Sequence, residues 1–246
     1  MHKSLKICHV ITRMIIGGAQ ENTLLTVRGL AEKGHDVTLL TGPTQGPEGR
    51  LLEQAGLPPS VQLVELPGLV RKLSPWRDLQ AWTGLQRYFR EQSFDVIHTH
   101  SSKAGILGRL AAGRARCPLI LHTVHGQAFH SFEKPWRNWL YIQAERLAAR
   151  PCDHIIAVAQ AMIDQCVAAR VAPRERYSVI FSGMEMGPFL NVRADEGLRR
   201  ELGIPAGVPV VGKIARLFEL KGHDQLLDAV PAVLNGFPET RFLLVG

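Results

Sequence analysis

The sequence predicts an α/β protein with one complete Rossmann-like domain, a doubly wound parallel sheet, followed by the start of a second. Three observations carry this. Short β-branched runs alternate with longer amphipathic stretches, the pattern of repeated βαβ units. After seven such runs, residues 184–209 turn polar and gather Pro188, Gly203, Pro205, Gly207 and Pro209, which reads as a hinge. The strand–helix rhythm then restarts and continues to residue 246.

Taken in order, strands are expected over 6–12, 36–41, 61–66, 95–100, 119–125, 154–158 and 177–181. Helices are expected between them over 19–33, 48–55, 76–92, 102–114, 136–149 and 160–170. These fill a first domain, 1–183. The linker 184–209 is expected to surround one short helix. In 210–246 come a strand at 210–216, a loop to Lys221 and Gly222, a helix at 223–234 and a strand at 241–245. A unit of about 40 residues rarely buries both faces of a sheet, so 210–246 is expected to be the incomplete opening of a second domain and the chain the front part of a longer protein.

Composition narrows the classes. With 46% hydrophobic and 21% charged residues, the 246-residue chain is neither disordered, collagenous nor a membrane bundle. No apolar run reaches the roughly 18 residues of a membrane span, and the N-terminus enters a strand without a signal-peptide core, so a cytoplasmic location is expected. Cys8, Cys117, Cys152 and Cys166 are widely spaced and form no C-x-x-C pair, so reduced packing residues are expected. The net charge of +7 favours anionic partners. Without a zinc finger, an RNA-binding signature or a basic-aromatic repeat, nucleic acid is not expected among them.

The chemistry gathers at the ends of strands. Gly17 and Gly18 stand where the first strand turns into the first helix; they make either a tight turn or a loop whose free amides face phosphate. The dinucleotide fingerprint is missing, and the second strand ends without a ribose-binding acid, which argues against a nicotinamide dehydrogenase. Residues 207–214 come near a P-loop, but Ile214 replaces its Ser or Thr and the spacer reads as a strand.

Histidines cluster where open sheets bind ligands: His98 and His100 on one face of the fourth strand, with His122 and, once the fifth strand becomes a loop, His125 expected beside them. The H-x-H spacing suits a metal-dependent hydrolase, but a hydrolase pattern would need ligands where Ser102 and Lys103 stand, so no metal is expected. Segments 70–77 and 134–140 are basic and aromatic, a composition that also suits anionic lipid. The helical spacing of Trp136, Trp139, Leu140 and Leu147 instead predicts a face covering the sheet. Arg216 at a strand end and Lys221 before a helix are two cations able to neutralise a diphosphate.

Together these blocks resemble the family 4 retaining glycosyltransferases of GT-B architecture. The resemblance rests on GGAQ at 17–20, GHDV at 34–37, DVIHTHSSKAG at 95–105, HTVHG at 122–126, and Arg216 with Lys221-Gly222. It implies transfer of a sugar from a nucleotide-diphosphate sugar, as co-substrate and without cofactor or metal, to a carbohydrate or lipid-linked acceptor with the anomeric configuration kept. Polysaccharide or glycolipid assembly, with the protein peripheral at the inner face of a membrane, is the implied setting.

By position, Gly17, Gly18, Arg216 and Lys221 would meet the donor diphosphate, His125 would stand at the reacting centre without being assigned as a base, and His100, Ser102 and Lys103 would lie on the acceptor side. The family's pair of glutamates, eight positions apart, is expected beyond Gly246, and Glu185 follows Ser182-Gly183-Met184 where the family often has Asn-Gly-Ile/Val-Asp. The 246 residues alone are therefore expected to be inactive. The rival readings are a metal-dependent hydrolase using His98 and His100, and a non-catalytic remnant that binds nucleotide or sugar.

Overall fold

A computed structural model describes residues 3–46, 48–192 and 195–246. It divides into two compact units, Met1–Met184 and Glu185–Gly246.

The first unit runs β1 (Lys6–Ile11), α1 (Gly18–Glu32), β2 (Asp36–Thr41), α2 (Leu51–Ala55), β3 (Val61–Glu65), α3 (Pro75–Gln92), β4 (Val96–His100), α4 (Ser102–Ala115), β5 (Leu119–Val124), α5 (Pro135–Ala149), β6 (His154–Ala157), α6 (Gln160–Ala168) and β7 (Tyr177–Val179). The strands form one sheet in the order β3-β2-β1-β4-β5-β6-β7, every neighbouring pair parallel. The order reverses between β1 and β4, and open sheets of this kind hold ligands at the carboxyl ends of the strands beside such a switch.

The central strands are buried on both faces, which is why they read as short apolar runs. Cys8, Val10 and Ile97 belong to one core with Leu85 and Phe89 of α3 and Ala104 and Ala111 of α4. Ile11, Val37 and Leu39 join Leu24 and Val27 of α1 in another. Helix α4 presses hard on the sheet because it presents glycines there. A Cβ on Gly105 would stand 2.5 Å from Cε1 of His122, and one on Gly108 would stand 2.7 Å from Cγ2 of Thr99.

Most element boundaries fall within two residues of expectation, and two features differ more. Helix α2 starts at Leu51, because Glu48 is bound into the preceding loop: its carbonyl accepts from the Ile16 amide and its carboxylate from Arg13. The stretch read as a hinge around one helix carries two, α7 (Gly187–Leu190) and α8 (Glu196–Glu201). The Asp195 carboxylate starts α8 by accepting from the Gly197 and Leu198 amides at 2.8 and 3.1 Å.

The second unit continues with β8 (Val210–Ile214), α9 (His223–Gly236) and β9 (Arg241–Val245), the two strands pairing in parallel. Among its described residues only Thr240 is buried. It has the elements of a βαβ unit without a core of its own.

Candidate active site

At the first βα junction, Gly17 precedes α1 with extended backbone (φ 169°, ψ 155°), and no side chain caps the helix. The Gln20 and Glu21 amides bond back to the Gly17 carbonyl. The amides of Gly18 and Ala19 are left for whatever meets the helix end, where the dipole favours an anion. A side chain at Gly18 would meet nothing within 4 Å, so this end is open.

At the end of β4, Ser101 adopts φ 60° and ψ 162°, a conformation costly for any residue with a Cβ. It is held across the sheet by Thr12. The two hydroxyls lie 2.8 Å apart, and Thr12 Oγ1 also accepts from the Ala104 amide at 3.1 Å, capping α4 from another strand. Sequence reading singled out Ser102 and missed both Ser101 and Thr12. A strained serine is invisible in a string of polar residues, and its partner is 89 positions away.

Lys103 is tied down: its ammonium donates to the Lys72 carbonyl and to the Asp78 carboxylate, both at 2.6 Å. That clamp fastens the 70s loop and α3 to α4. Beside it opens a cavity of about 870 Å³ lined by Thr12, Arg13, Arg71, Ser101, Ser102 and Lys103 at the strand ends, and by Ile106, Leu107, Trp136, Leu140 and Tyr141 from α4 and α5. Its mouth carries hydroxyls and ion-paired cations, Arg13 and Arg71 with Glu48, Lys103 with Asp78 and Arg137 with Glu133, and one wall is apolar. Gln127, two residues beyond His125, also lines it.

Behind this edge the histidines form a buried cluster. The register sets His9 of β1 opposite His98 of β4, and His98 and His100 do share a face, their ring centroids 4.3 Å apart. His9 Nδ1 lies 3.0 Å from His100 Nε2, and His100 Nδ1 lies 3.1 Å from Nε2 of His125. His98 Nε2 is 2.7 Å from Thr123 Oγ1.

His122 does not join them. It turns to the opposite face, where its Nδ1–H donates to the Thr99 carbonyl at 3.1 Å beside Gly105. Of the residues read as acceptor-side, Ser102 and Lys103 line the cavity, whereas His100 is 1% exposed and reaches the edge through His125. His9 was not singled out, since only the parallel register reveals it.

Burial governs the charge of this cluster. It lowers His9 and His125 to about 4, and it holds His98, His100 and His122 well below the ordinary histidine range, with neighbouring imidazoles and, at His122, Arg109 adding to the effect. All five are neutral at pH 7. His9, His98 and His100 bring ring nitrogens within 4.8 Å of one another. Within this group His9 Nδ1 pairs with His100 Nε2 and His98 Nε2 with Thr123, and the group contains no carboxylate or thiolate.

In the second unit, Arg216 and Lys221 are exposed at the β8–α9 junction. His223 Nε2 lies 2.9 Å from the Arg216 carbonyl, and the Lys213 ammonium donates to the Gly222 carbonyl at 2.6 Å. Gly222, at φ 66° and ψ 41°, makes the left-handed turn into α9.

The family profile described as "Glycosyl transferase 4-like domain" matches residues 17–183. The chain belongs to this family. Among curated relatives of the glycosyl transferase 4-like domain, an Escherichia coli UDP-Gal:alpha-D-GlcNAc-diphosphoundecaprenol alpha-1,3-galactosyltransferase is 28% identical over 248 residues, covering 100% of this chain and 62% of its own length. A D-inositol 3-phosphate glycosyltransferase from Corynebacterium glutamicum strain R is 30% identical, covering 93% and 57%. The chain thus spans about three fifths of the length of these relatives.

Among solved structures, HepE from Anabaena, in complex with UDP and glucose, superposes with a TM-score of 0.71 at 20% identity, covering 98% of this chain and 60% of that one. Sucrose-phosphate synthase from Thermosynechococcus elongatus gives 0.72 at 17%, covering 98% and 62%. The glycosyl transferase 4-like domain of this chain therefore has the GT-B fold.

Proposed function

We propose that this chain is the acceptor-side domain and the opening of the donor-side domain of a retaining glycosyltransferase that moves a sugar from a nucleotide-diphosphate sugar to a carbohydrate or lipid-linked acceptor. The observation that carries the reading is the cavity of about 870 Å³ at the sheet's carboxyl edge, lined at its mouth by hydroxyls and by the ion pairs of Arg13, Arg71, Lys103 and Arg137, and apolar along α4 and α5. That lining suits a sugar, met by hydroxyls and paired charges, on an apolar anchor. The galactosyltransferase relative, named for a diphosphoundecaprenol-linked acceptor, supports the same chemistry.

In the reaction, the bond from the anomeric carbon to the diphosphate breaks, the acceptor oxygen bonds to that carbon, and the hydroxyl proton leaves with the diphosphate. The growing charge on the leaving group is met from Gly17 and Gly18 by the bare end of α1, and in the second unit by Arg216 and Lys221. Each of these contacts is fixed charge or dipole, so the transfer is proposed to need no metal and no cofactor. His125 stands at the transferred sugar. Ser102 lies on the acceptor side, and Lys103 holds that wall in place.

The described residues include no helix long and apolar enough to cross a membrane. Work at the cytoplasmic face, with peripheral contact through the exposed Trp76, Trp136 and Trp139, fits the same acceptor.

The test is transfer by a protein extended to the full length of its relatives, offered nucleotide-diphosphate sugars and a polyprenyl-diphosphate saccharide, with the product's anomeric configuration read by NMR. Retention is expected, with turnover by His125→Ala lowered by about 10² to 10⁴ as for a positioned polar group. An inverted product, or wild-type rates in His125→Ala, overturns the reading.

A further inference from the structure

Three of these rings form a line. His9 Nδ1 meets His100 Nε2, and His100 Nδ1 meets His125 Nε2, at 3.0 and 3.1 Å. The line ends inside the protein at His9 Nε2, which is buried and has no hydrogen-bond partner. At its other end, Nδ1 of half-buried His125 takes part in no hydrogen bond within the described residues and is not among the buried unpartnered atoms.

Each N···N contact needs one proton, and each neutral imidazole carries one. Both contacts are therefore made only when all three protons point the same way. If they point inward, His125 carries its proton on Nε2 and His9 is left with a buried N–H that has no acceptor. If they point outward, His9 donates from Nδ1 to His100, His100 donates from Nδ1 to His125, and the orphan at His9 is a bare lone pair. A buried N–H without an acceptor is the rarer and more costly defect. The outward arrangement wins, and it leaves the His125 proton on Nδ1.

We propose that His9 and His100 are positioning residues that lock His125 into the tautomer with its proton on Nδ1 and its Nε2 occupied, so that His125 meets the sugar as a hydrogen-bond donor and not as a base. The role at the sugar rests on the function proposed above; the lock itself rests only on the line of rings. Burial supports it, since a ring held near a pKa of about 4 stays neutral at pH 7, and a neutral ring has a tautomer to choose. A hydroxyl of the bound sugar, carrying lone pairs, is a suitable acceptor for the Nδ1–H.

The experiment is two-bond ¹H–¹⁵N correlation NMR on the 246-residue chain labelled at histidine, with couplings read across the N–H···N bonds. In the wild type the proton on Nδ1 of His125 is expected, together with couplings for both the His9–His100 and His100–His125 pairs. In His9→Met, whose thioether can accept from Nε2 of His100 but cannot donate to it, the inward direction gains an acceptor, and the ratio of Nδ1–H to Nε2–H at His125 is expected to fall by about tenfold. His9→Asn, whose amide nitrogen sits near the place of Nδ1, should restore it.

A wild-type His125 protonated on Nε2, missing couplings, or an unchanged ratio in folded His9→Met would overturn the lock. Should His9→Met fail to fold, the wild-type tautomer and couplings still decide. Normal transfer by His125→Ala in the extended protein would overturn the role at the sugar and leave the lock standing, so the two failures are told apart.

Discussion

Five imidazoles are held neutral in this fold, and neutrality has a thermodynamic consequence. An unfolded histidine takes up a proton as the pH falls through 6.5, whereas folded His9 resists until about 4. Below 6.5 the unfolded state therefore binds more protons, and stability declines with falling pH. His9 alone accounts for about 1.4 kcal/mol per pH unit in that window and about 3 kcal/mol across it. His98, His100, His122 and His125 act in the same direction. Urea denaturation should thus show a midpoint clearly lower at pH 5 than at pH 7, and His9→Asn should flatten that slope. A midpoint independent of pH between 5 and 7 would mean these rings are not neutral in the folded state.

Helix α5 shows where an element departs from its sequence pattern. Helical spacing of Trp136, Trp139, Leu140 and Leu147 predicts a buried stripe, yet these side chains are 59, 60, 49 and 48% exposed. The face that packs is marked by Tyr141, Ile142, Ala148 and Ala149. Glu145 joins it, accepting at 2.7 Å from the fully buried Arg109 of α4. A carboxylate in the seam interrupts the apolar stripe, and the guanidinium that makes it tolerable is 36 positions away. The aromatics are thereby free for something else.

With Lys134 and Arg137 beside them, they should bind vesicles containing anionic phosphatidylglycerol. Replacing Trp136 and Trp139 by serine should weaken that partitioning by about tenfold without loss of helicity, because neither ring supports the core. Equal sedimentation of wild type and double variant with the vesicles would rule out this contact.

The strands, by contrast, were legible almost residue by residue, since a strand buried on both faces announces itself as a short apolar run. Of the site, the glycine pair and His98, His100 and His125 were legible as polar or flexible residues at strand ends. Thr12, Ser101 and His9 were not, because their roles come from cross-strand register and backbone conformation.

At the scale of the whole molecule, the two units differ in kind. The first closes seven strands around two hydrophobic cores; the second pairs two strands beside one long helix and buries only Thr240 among its described residues. Limited proteolysis followed by mass spectrometry should therefore leave a resistant fragment ending near Met184 and clip the remainder early. Equal resistance of both units would mean that residues 185–246 bury more than their side chains now do. Strand order also sets a sequence in time. Of the seven strands of this sheet β1 is made first, yet it lies in the middle of the finished sheet, and its partner β4 begins only at Val96. While the ribosome makes the residues between, β1 can zip to β2 and β2 to β3, but one edge of β1 stays open with His9 on it. A nascent chain with an unpaired central strand is vulnerable to pairing with its neighbours on the same message, so the histidine line waits for His125 to emerge, and until then β1 is a strand edge that the cell's chaperones would meet.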